Sequence, residues 1–219
     1  VSLFAGQSGT GKTMAAGVIA GELGLDLYKI DLSGVVSKYI GETEKNLGAI
    51  FRDASLSNAI LFFDEADALF GKRSEVRDAH DRYANIETAY LLQQIEDYAG
   101  PVILSTNLKM NLDEAFLRRM HFVIDFPMPE EAYRYRIWTS TLPAALPLAE
   151  DADFHFLAKQ FRISGGNIRN IVLAAAFLAA KEGGSLGMRH LIQATRREFQ
   201  KLGRMVTEAD FGEHMAHLD

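Results

Sequence analysis

No stretch of this chain constrains its fold more than Gly6-Gln7-Ser8-Gly9-Thr10-Gly11-Lys12-Thr13. It follows the apolar run Val1-Ser2-Leu3-Phe4-Ala5 and opens a segment, residues 12–23, with apolar side chains at Met14, Ala15, Val18, Ile19 and Leu23. The run reads as a strand and the segment as a helix with its stripe at 3.6-residue spacing. Gly24 stands where a left-handed C-terminal cap belongs. A glycine-rich turn between strand and helix can aim backbone N–H groups, and the positive end of the helix, at an anion. Lys12 adds a full positive charge for the outer phosphates of a nucleotide, and the Thr13 hydroxyl is suited to ligating Mg²⁺. All four fixed positions of G-x-x-x-x-G-K-[ST] are present in the strand–loop–helix frame, so the stretch reads as a phosphate-binding loop.

Downstream, the hydrophobic period alternates between that of strands and that of helices. Residues 25–32 largely alternate apolar and polar, as a strand does. Residues 44–54 put Leu47, Ile50, Phe51 and Ala54 on one helical face. Ala59-Ile60-Leu61-Phe62-Phe63 is a continuous apolar run, expected of a strand buried on both faces, and it ends in Asp64-Glu65. A helix is expected over 82–98, with Ile86, Tyr90, Leu91 and Ile95 toward the core, then a strand at 102–105, a short helix at 113–119 and a fifth strand at 122–126. Strands alternating with helices imply a parallel, three-layer α/β sheet, the architecture of a P-loop nucleotide-binding domain. After Pro129 the pattern becomes helical, over 130–140, 154–161, 167–181 and 186–202, with a proline-bearing loop at 141–153. The organisation expected is an α/β domain at 1–128 and a helical lid at 129–219, with a weakly patterned, poorly ordered tail after Gly203.

Composition removes several classes of function. There is no cysteine, which excludes disulfides, thiolate metal sites and cysteine nucleophiles and fits a reducing, cytoplasmic compartment. A net charge of −6 is the opposite of a broad nucleic-acid face. No apolar run is long enough for a membrane span, and no secretory signal is visible. Because the chain starts within the strand feeding the loop, further residues are expected upstream.

Ligands of parallel α/β sheets bind at the C-terminal strand ends. The loop, Asp64-Glu65 and Asn107 all fall at such ends. Asp64 suits Mg²⁺, held through water, and Glu65 suits the orientation or deprotonation of an attacking water. Asp67, the next acid, reads as a local structural group. Asn107, after Ser105-Thr106, can be either a turn residue or an amide that bonds the γ-phosphate and the lytic water. Arg118 and Arg119 can complement a helix C-terminus or stabilise a transferring phosphoryl group. Lys38-Tyr39-Ile40-Gly41, followed by Glu42, puts an aromatic at a loop tip. Its side chain either packs on its own core or grips a partner.

In order, these motifs resemble an AAA+ ATPase module over nearly the whole chain. Residues 6–13 resemble the Walker A motif, 60–65 Walker B, Asn107 the first sensor, and Arg118 and Arg119 the arginine fingers in a D-x-A-[LF]-x-R-R segment. Lys38, Tyr39, Ile40 and Gly41 resemble the pore loop, and Ser164-Gly165-Gly166-Asn167-Ile168 the S-G-A-D-[IL] segment that opens a lid helix against the nucleotide. Within the family, the chain resembles bacterial members that accompany contractile injection systems. The resemblance implies ATP and Mg²⁺ as cofactors, a homo-oligomeric ring, usually a hexamer, arginines acting in trans, and a polypeptide substrate gripped by Tyr39, with Lys72 and Arg73 as a second pore loop. It departs from many members at the second sensor, where Asn167 stands in place of an arginine and Arg169 is expected to face elsewhere. The function expected is ATP hydrolysis coupled to unfolding, threading or remodelling of a protein. The alternatives are a nucleotide-gated scaffold, a nucleic-acid motor or loader, and a monomeric phosphotransferase.

Overall fold

The structure is a computed structural model that describes residues 1–32, 42–66, 79–107, 114–204, 207, 210–212 and 214, without the side chains of 79–85, 87, 114 and 115. These fall into two compact units. The first comprises Val1–Gln7 and Gly11–Pro127, and the second comprises Ser8–Thr10 and Met128–Asp219.

In the first unit, β1 (Ser2–Ala5), β2 (Leu27–Asp31), β3 (Ile60–Asp64), β4 (Val102–Thr106) and β5 (Phe122–Asp125) form one sheet in the order β2-β3-β4-β1-β5. Every pairing is parallel. Among the described residues this unit also holds helices α1 (Lys12–Leu23), α2 (Glu42–Ser57), α3 (Ala79–Asp97) and the short α4 (Glu114–Leu117). Alternate strand residues serve opposite faces, as the two-residue period of a strand requires. Leu61, Phe63, Val102 and Leu104 pack with Leu47, Phe51 and Ala54 of α2 and Leu91 and Ile95 of α3. Ile60, Phe62, Ile103 and Phe4 pack with Ala16 and Ala20 of α1. The three-layer α/β fold expected from the alternating pattern is therefore the observed one.

Two local expectations were not met. Helix α1 spans the expected residues, but its apolar stripe does not face the sheet: Met14 is 73% and Val18 58% exposed. Lys12 sets the phase. It is only 7% exposed, and residues four apart share a helix face, so turning Lys12 inward brings in Ala16 and Ala20 as well. On α3, Ile86 is exposed while Leu91 and Ile95 are buried, because Ile86 lies well over a quarter-turn from Leu91 around the helix. Strand β5 lies at the sheet edge, and Phe122, Val123 and Ile124 all remain exposed despite their apolar character.

The second unit holds α5 (Glu131–Thr141), α6 (Phe154–Gln160), α7 (Gly165–Lys181) and α8 (Met188–Lys201) around a core that includes Trp138, Leu157, Ile168, Ile171, Val172, Leu191 and Ile192. The buried Arg134 donates from Nε to the Ala158 carbonyl at 2.7 Å and from Nη1 to the Pro129 carbonyl at 2.6 Å, tying the start of α5 to the end of α6. Burial pulls the Arg134 guanidinium below its ordinary pKa, with smaller, opposed contributions from Glu131 and Arg162. Two helices begin with side-chain caps. The Asp153 carboxylate accepts from Phe156 N–H at 2.9 Å, and Ser164 caps α7 through a reciprocal bond with Asn167. Such caps satisfy N–H groups that have no partner within the helix.

Candidate nucleotide site

The sheet order creates the site. From β1 the chain crosses to β2 and β3, returns to β4 beside β1, and reaches β5 on the far side of β1. The C-terminal ends of β1, β4 and β3 thus lie together at the point where the strand order reverses, which is where open α/β sheets bind ligands. Gly6 N–H donates to the Thr106 carbonyl at 3.1 Å, which locks the start of the loop to the end of β4. A Cβ at Gly6 would lie 2.2 Å from the Phe126 carbonyl oxygen, so only glycine passes there.

Gly11 caps α1 at φ 104° without any side-chain cap. The first intrahelical bond runs from Ala15 N–H to the Gly11 carbonyl at 2.9 Å, which leaves the amides of the first turn directed out of the helix. Amides presented in this way can hold an anion such as a phosphate. The Lys12 ammonium donates to Gly6 O at 2.6 Å, Gln7 O at 3.0 Å and Asn107 Oδ1 at 2.9 Å. Two residues 95 positions apart in the chain are therefore in direct contact. Thr13 is exposed one residue further along α1, where its hydroxyl is suited to a magnesium ion.

Asp64 ends β3 half-buried. Its Oδ1 accepts from Glu65 N–H at 3.2 Å, and its Oδ2 lies 3.4 Å from Lys29 Nζ on the neighbouring strand. Both partners of that pair are partly exposed, so the attraction is weak and leaves the carboxylate able to hold a cation. Glu65 is exposed at φ 54°, in the left-handed region. A non-glycine residue there is held at a cost of about 1–2 kcal/mol. The restraint comes from Ala66, whose N–H donates to the Ser105 carbonyl of β4 at 2.8 Å. Glu65 is thereby pinned between the ends of β3 and β4. Nothing in the residue pattern announces this strained backbone. It follows from the strand-to-strand bond.

Arg118 and Arg119 follow α4, which is anchored by the buried Phe116. Arg119 Nε donates to Glu96 of α3 at 2.6 Å, an exposed ion pair, and Arg118 is exposed. Lys38, Tyr39, Ile40 and Gly41, along with Asp67, Lys72 and Arg73, lie outside the described residues.

Ser8, Gly9 and Thr10, the tip of the loop, group with the second unit. Gly166 N–H donates to the Gly9 carbonyl at 2.9 Å. Gly9 has φ 78°, and a Cβ there would lie 2.5 Å from Ser164 Oγ. The Ser164-Gly165-Gly166-Asn167 segment does open a helix, α7, but the Asn167 amide serves that helix. Its Oδ1 accepts from Ser164 Oγ at 2.6 Å, and its Nδ2 donates to Glu198 at 2.9 Å. Arg169 is exposed. The capping-box spacing of Ser164 and Asn167 is legible in the sequence, whereas the partner Glu198, 31 residues on, is not.

The model of the family described as ATPase family associated with various cellular activities (AAA) matches residues 2–128, more than half of the chain. The katanin p60 ATPase-containing subunit A1 of Strongylocentrotus purpuratus is 30% identical over 228 residues, covering 95% of this chain and 42% of the relative. The probable 26S proteasome regulatory subunit 6B of Caenorhabditis elegans is 32% identical over 188 residues, covering 82% and 45%. The uncharacterized AAA family ATPase y4kL of Sinorhizobium fredii is 37% identical over 130 residues, covering 59% and 39%. The chain spans less than half the length of each of these relatives.

Proposed function

Because the chain belongs to the AAA family of ATPases, we propose that it hydrolyses ATP with Mg²⁺ in a ring of its own copies, a hexamer, and uses that hydrolysis to unfold, thread or remodel a protein. The observation that carries the reading is the Lys12–Asn107 contact at 2.9 Å beside the left-handed Glu65. In this reading Lys12 is the phosphate-binding cation, Asn107 the polar amide beside it and Glu65 the carboxylate for water. ATP brings the phosphoanhydride bond, and Mg²⁺ neutralises the charge that develops on its phosphates. Lys12 exchanges its loop carbonyls for phosphate oxygens, while the α1 amides and Gly6, Gln7, Ser8, Gly9, Thr10 and Gly11 surround the anion. Thr13 and Asp64 hold the magnesium ion. Glu65 takes the proton of the attacking water and orients it, with Asn107 fixing its position.

Arg118 and Arg119 complete the site of a neighbouring copy, Arg119 exchanging Glu96 for phosphate. Two of the relatives are named as subunits of larger assemblies, which supports an oligomer. Threading through a pore lined by Lys38, Tyr39, Ile40 and Gly41 is the part of the reading that rests on motif resemblance. A net charge of −6 disfavours a nucleic-acid partner, and the absence of cysteine fits a cytoplasmic setting.

The test pairs two variants. Lys12→Ala should abolish nucleotide binding, measured by calorimetry or by a fluorescent ATP analogue. Glu65→Gln should bind ATP normally and hydrolyse it at least about a hundredfold more slowly, in line with loss of a general base. Unchanged affinity in the first variant, or near-normal turnover in the second, removes those residues from their roles.

A further inference from the structure

Glu198 of α8 is 7% exposed, deep enough that a carboxylate must be paired to remain charged. It is fully engaged. Its Oε2 faces Lys201 Nζ at 2.5 Å, and its Oε1 accepts from Asn167 Nδ2 at 2.9 Å and Asn170 Nδ2 at 3.3 Å. Burial alone would raise the carboxyl pKa; hydrogen bonds from Lys201, Asn167 and Asn170 more than offset this and bring it below its ordinary value.

The chain of contacts continues from Asn167. Its Oδ1 accepts from Ser164 Oγ at 2.6 Å and from Ser164 N–H at 3.3 Å, and its own N–H donates to Ser164 Oγ at 3.3 Å. Ser164 is buried, and its Oγ occupies the space where a Cβ at Gly9 would fall. Two residues on, Gly166 donates its N–H to the Gly9 carbonyl, and a Cβ on Gly166 would lie 3.0 Å from Gly9 Cα. A line of polar contacts thus runs from Lys201 through Glu198 and Asn167 to Ser164, whose Oγ packs against Gly9, and the Gly166–Gly9 hydrogen bond ties the same first turn of α7 to the loop tip. Both ends of the Asn167 amide are used inside this line, so Asn167 acts as a strut.

We propose that Glu198 is a positioning residue for the nucleotide site: by fixing Asn167, and through it Ser164 and the first turn of α7, it sets the conformation of the loop tip at Gly9. The inference rests on the reading of residues 6–13 as the nucleotide cradle. An aspartate in place of Asn167 would set two carboxylates against each other across 2.9 Å, whereas the amide donates to Glu198 and accepts from Ser164 at once.

A donor–acceptor reversal tests this in the full chain. Glu198→Ala and Asn167→Asp should each weaken ATP and ADP binding about tenfold and raise KM by a similar factor with kcat less affected, as expected when the competent loop conformation becomes a minor population. In Asn167→Asp with Glu198→Gln, the glutamine Nε2 donates to the new carboxylate, so the double variant should recover affinity to within about threefold of the parent. A merely structural role for Glu198 lowers the melting temperature of α7 and α8 but leaves nucleotide affinity unchanged at temperatures where the protein is folded. Affinity of Asn167→Asp within twofold of the parent overturns the proposal, as does failure of the double variant to rescue a weakened Asn167→Asp. Should Glu198→Ala not fold, the Asn167→Asp and double variants decide the matter alone. Measured alongside, Lys12→Ala separates the two readings: if it retains nucleotide affinity the cradle itself is misassigned, and if it loses affinity while Asn167→Asp does not, only the role of Glu198 fails.

Discussion

Replacing Gly9 with alanine perturbs the loop tip at a point where the structure sets the size of the effect. Gly9 has φ 78°, and an L-residue in that region costs about 1–2 kcal/mol. The added Cβ would lie 2.5 Å from Ser164 Oγ, where ordinary contact begins at 3.4 Å. Ser164 cannot yield freely, because its hydroxyl is bonded to Asn167 and caps α7. Displacing it forfeits a cap worth about 1 kcal/mol. If the loop tip moves away instead, the Gly166 N–H loses its acceptor at a net cost of about 1 kcal/mol. The second unit should therefore lose about 2–3 kcal/mol, or no less than about 1 kcal/mol if the tip swings free. The single tryptophan, Trp138, is fully buried in the core of that same unit. Urea unfolding followed by its fluorescence thus reports the relevant transition. Pairing Gly9→Ala with Ser164→Gly removes the clash while keeping a tolerable cap, and should return about half of the loss. A Gly9→Ala protein within about 0.5 kcal/mol of the parent, the range of ordinary surface substitutions, would refute the packing of the tip described here.

Two other outcomes are expected. The carboxyls of Glu198 and Glu182 both sit below their ordinary value of 4.5; for Glu182, hydrogen bonds from His190 and then Arg189 are the main causes. A depressed carboxyl stabilises the fold above its unfolded pKa and loses that contribution as pH falls through its folded pKa. Trp138-monitored stability should therefore be level above about pH 5.5 and fall below about pH 4.5, with a shallower fall in Glu198→Gln; identical slopes in the two proteins would exclude Glu198 as a source. Tyr39→Ala should keep basal ATP hydrolysis and stop the processing of a tagged, unfolded protein, and processing at the parental rate would remove the threading mechanism.

The elements of the site differ in how they could be read. Residues 6–13 and the acids at 64 and 65 stand out as candidates in the sequence because phosphate and magnesium chemistry needs fixed residue types at fixed short spacings. The parallel sheet is legible because runs such as 59–63 have no polar face and must be covered on both sides. The phase of α1 was not legible. Its apolar stripe pointed to Met14 and Val18, yet the inward turn of Lys12 selected Ala16 and Ala20. A buried, hydrogen-bonded lysine at the helix start overrode the hydrophobic period.

By itself, then, the sequence determined the α/β class and supplied the motif on which the proposed chemistry of the cradle rests, since both are written in neighbouring residues. Only the tertiary structure decided which distant groups share that chemistry. It brought Asn107 onto Lys12 through the placement of β4 beside β1, and held Glu65 in a left-handed conformation through the Ala66–Ser105 bond. It also joined Glu198 to Ser164 through Asn167, and the first turn of α7 to the Gly9 tip through the Gly166–Gly9 bond. Contacts between residues 31 or 95 positions apart depend on strand order and helix packing, and no local period in the sequence encodes them.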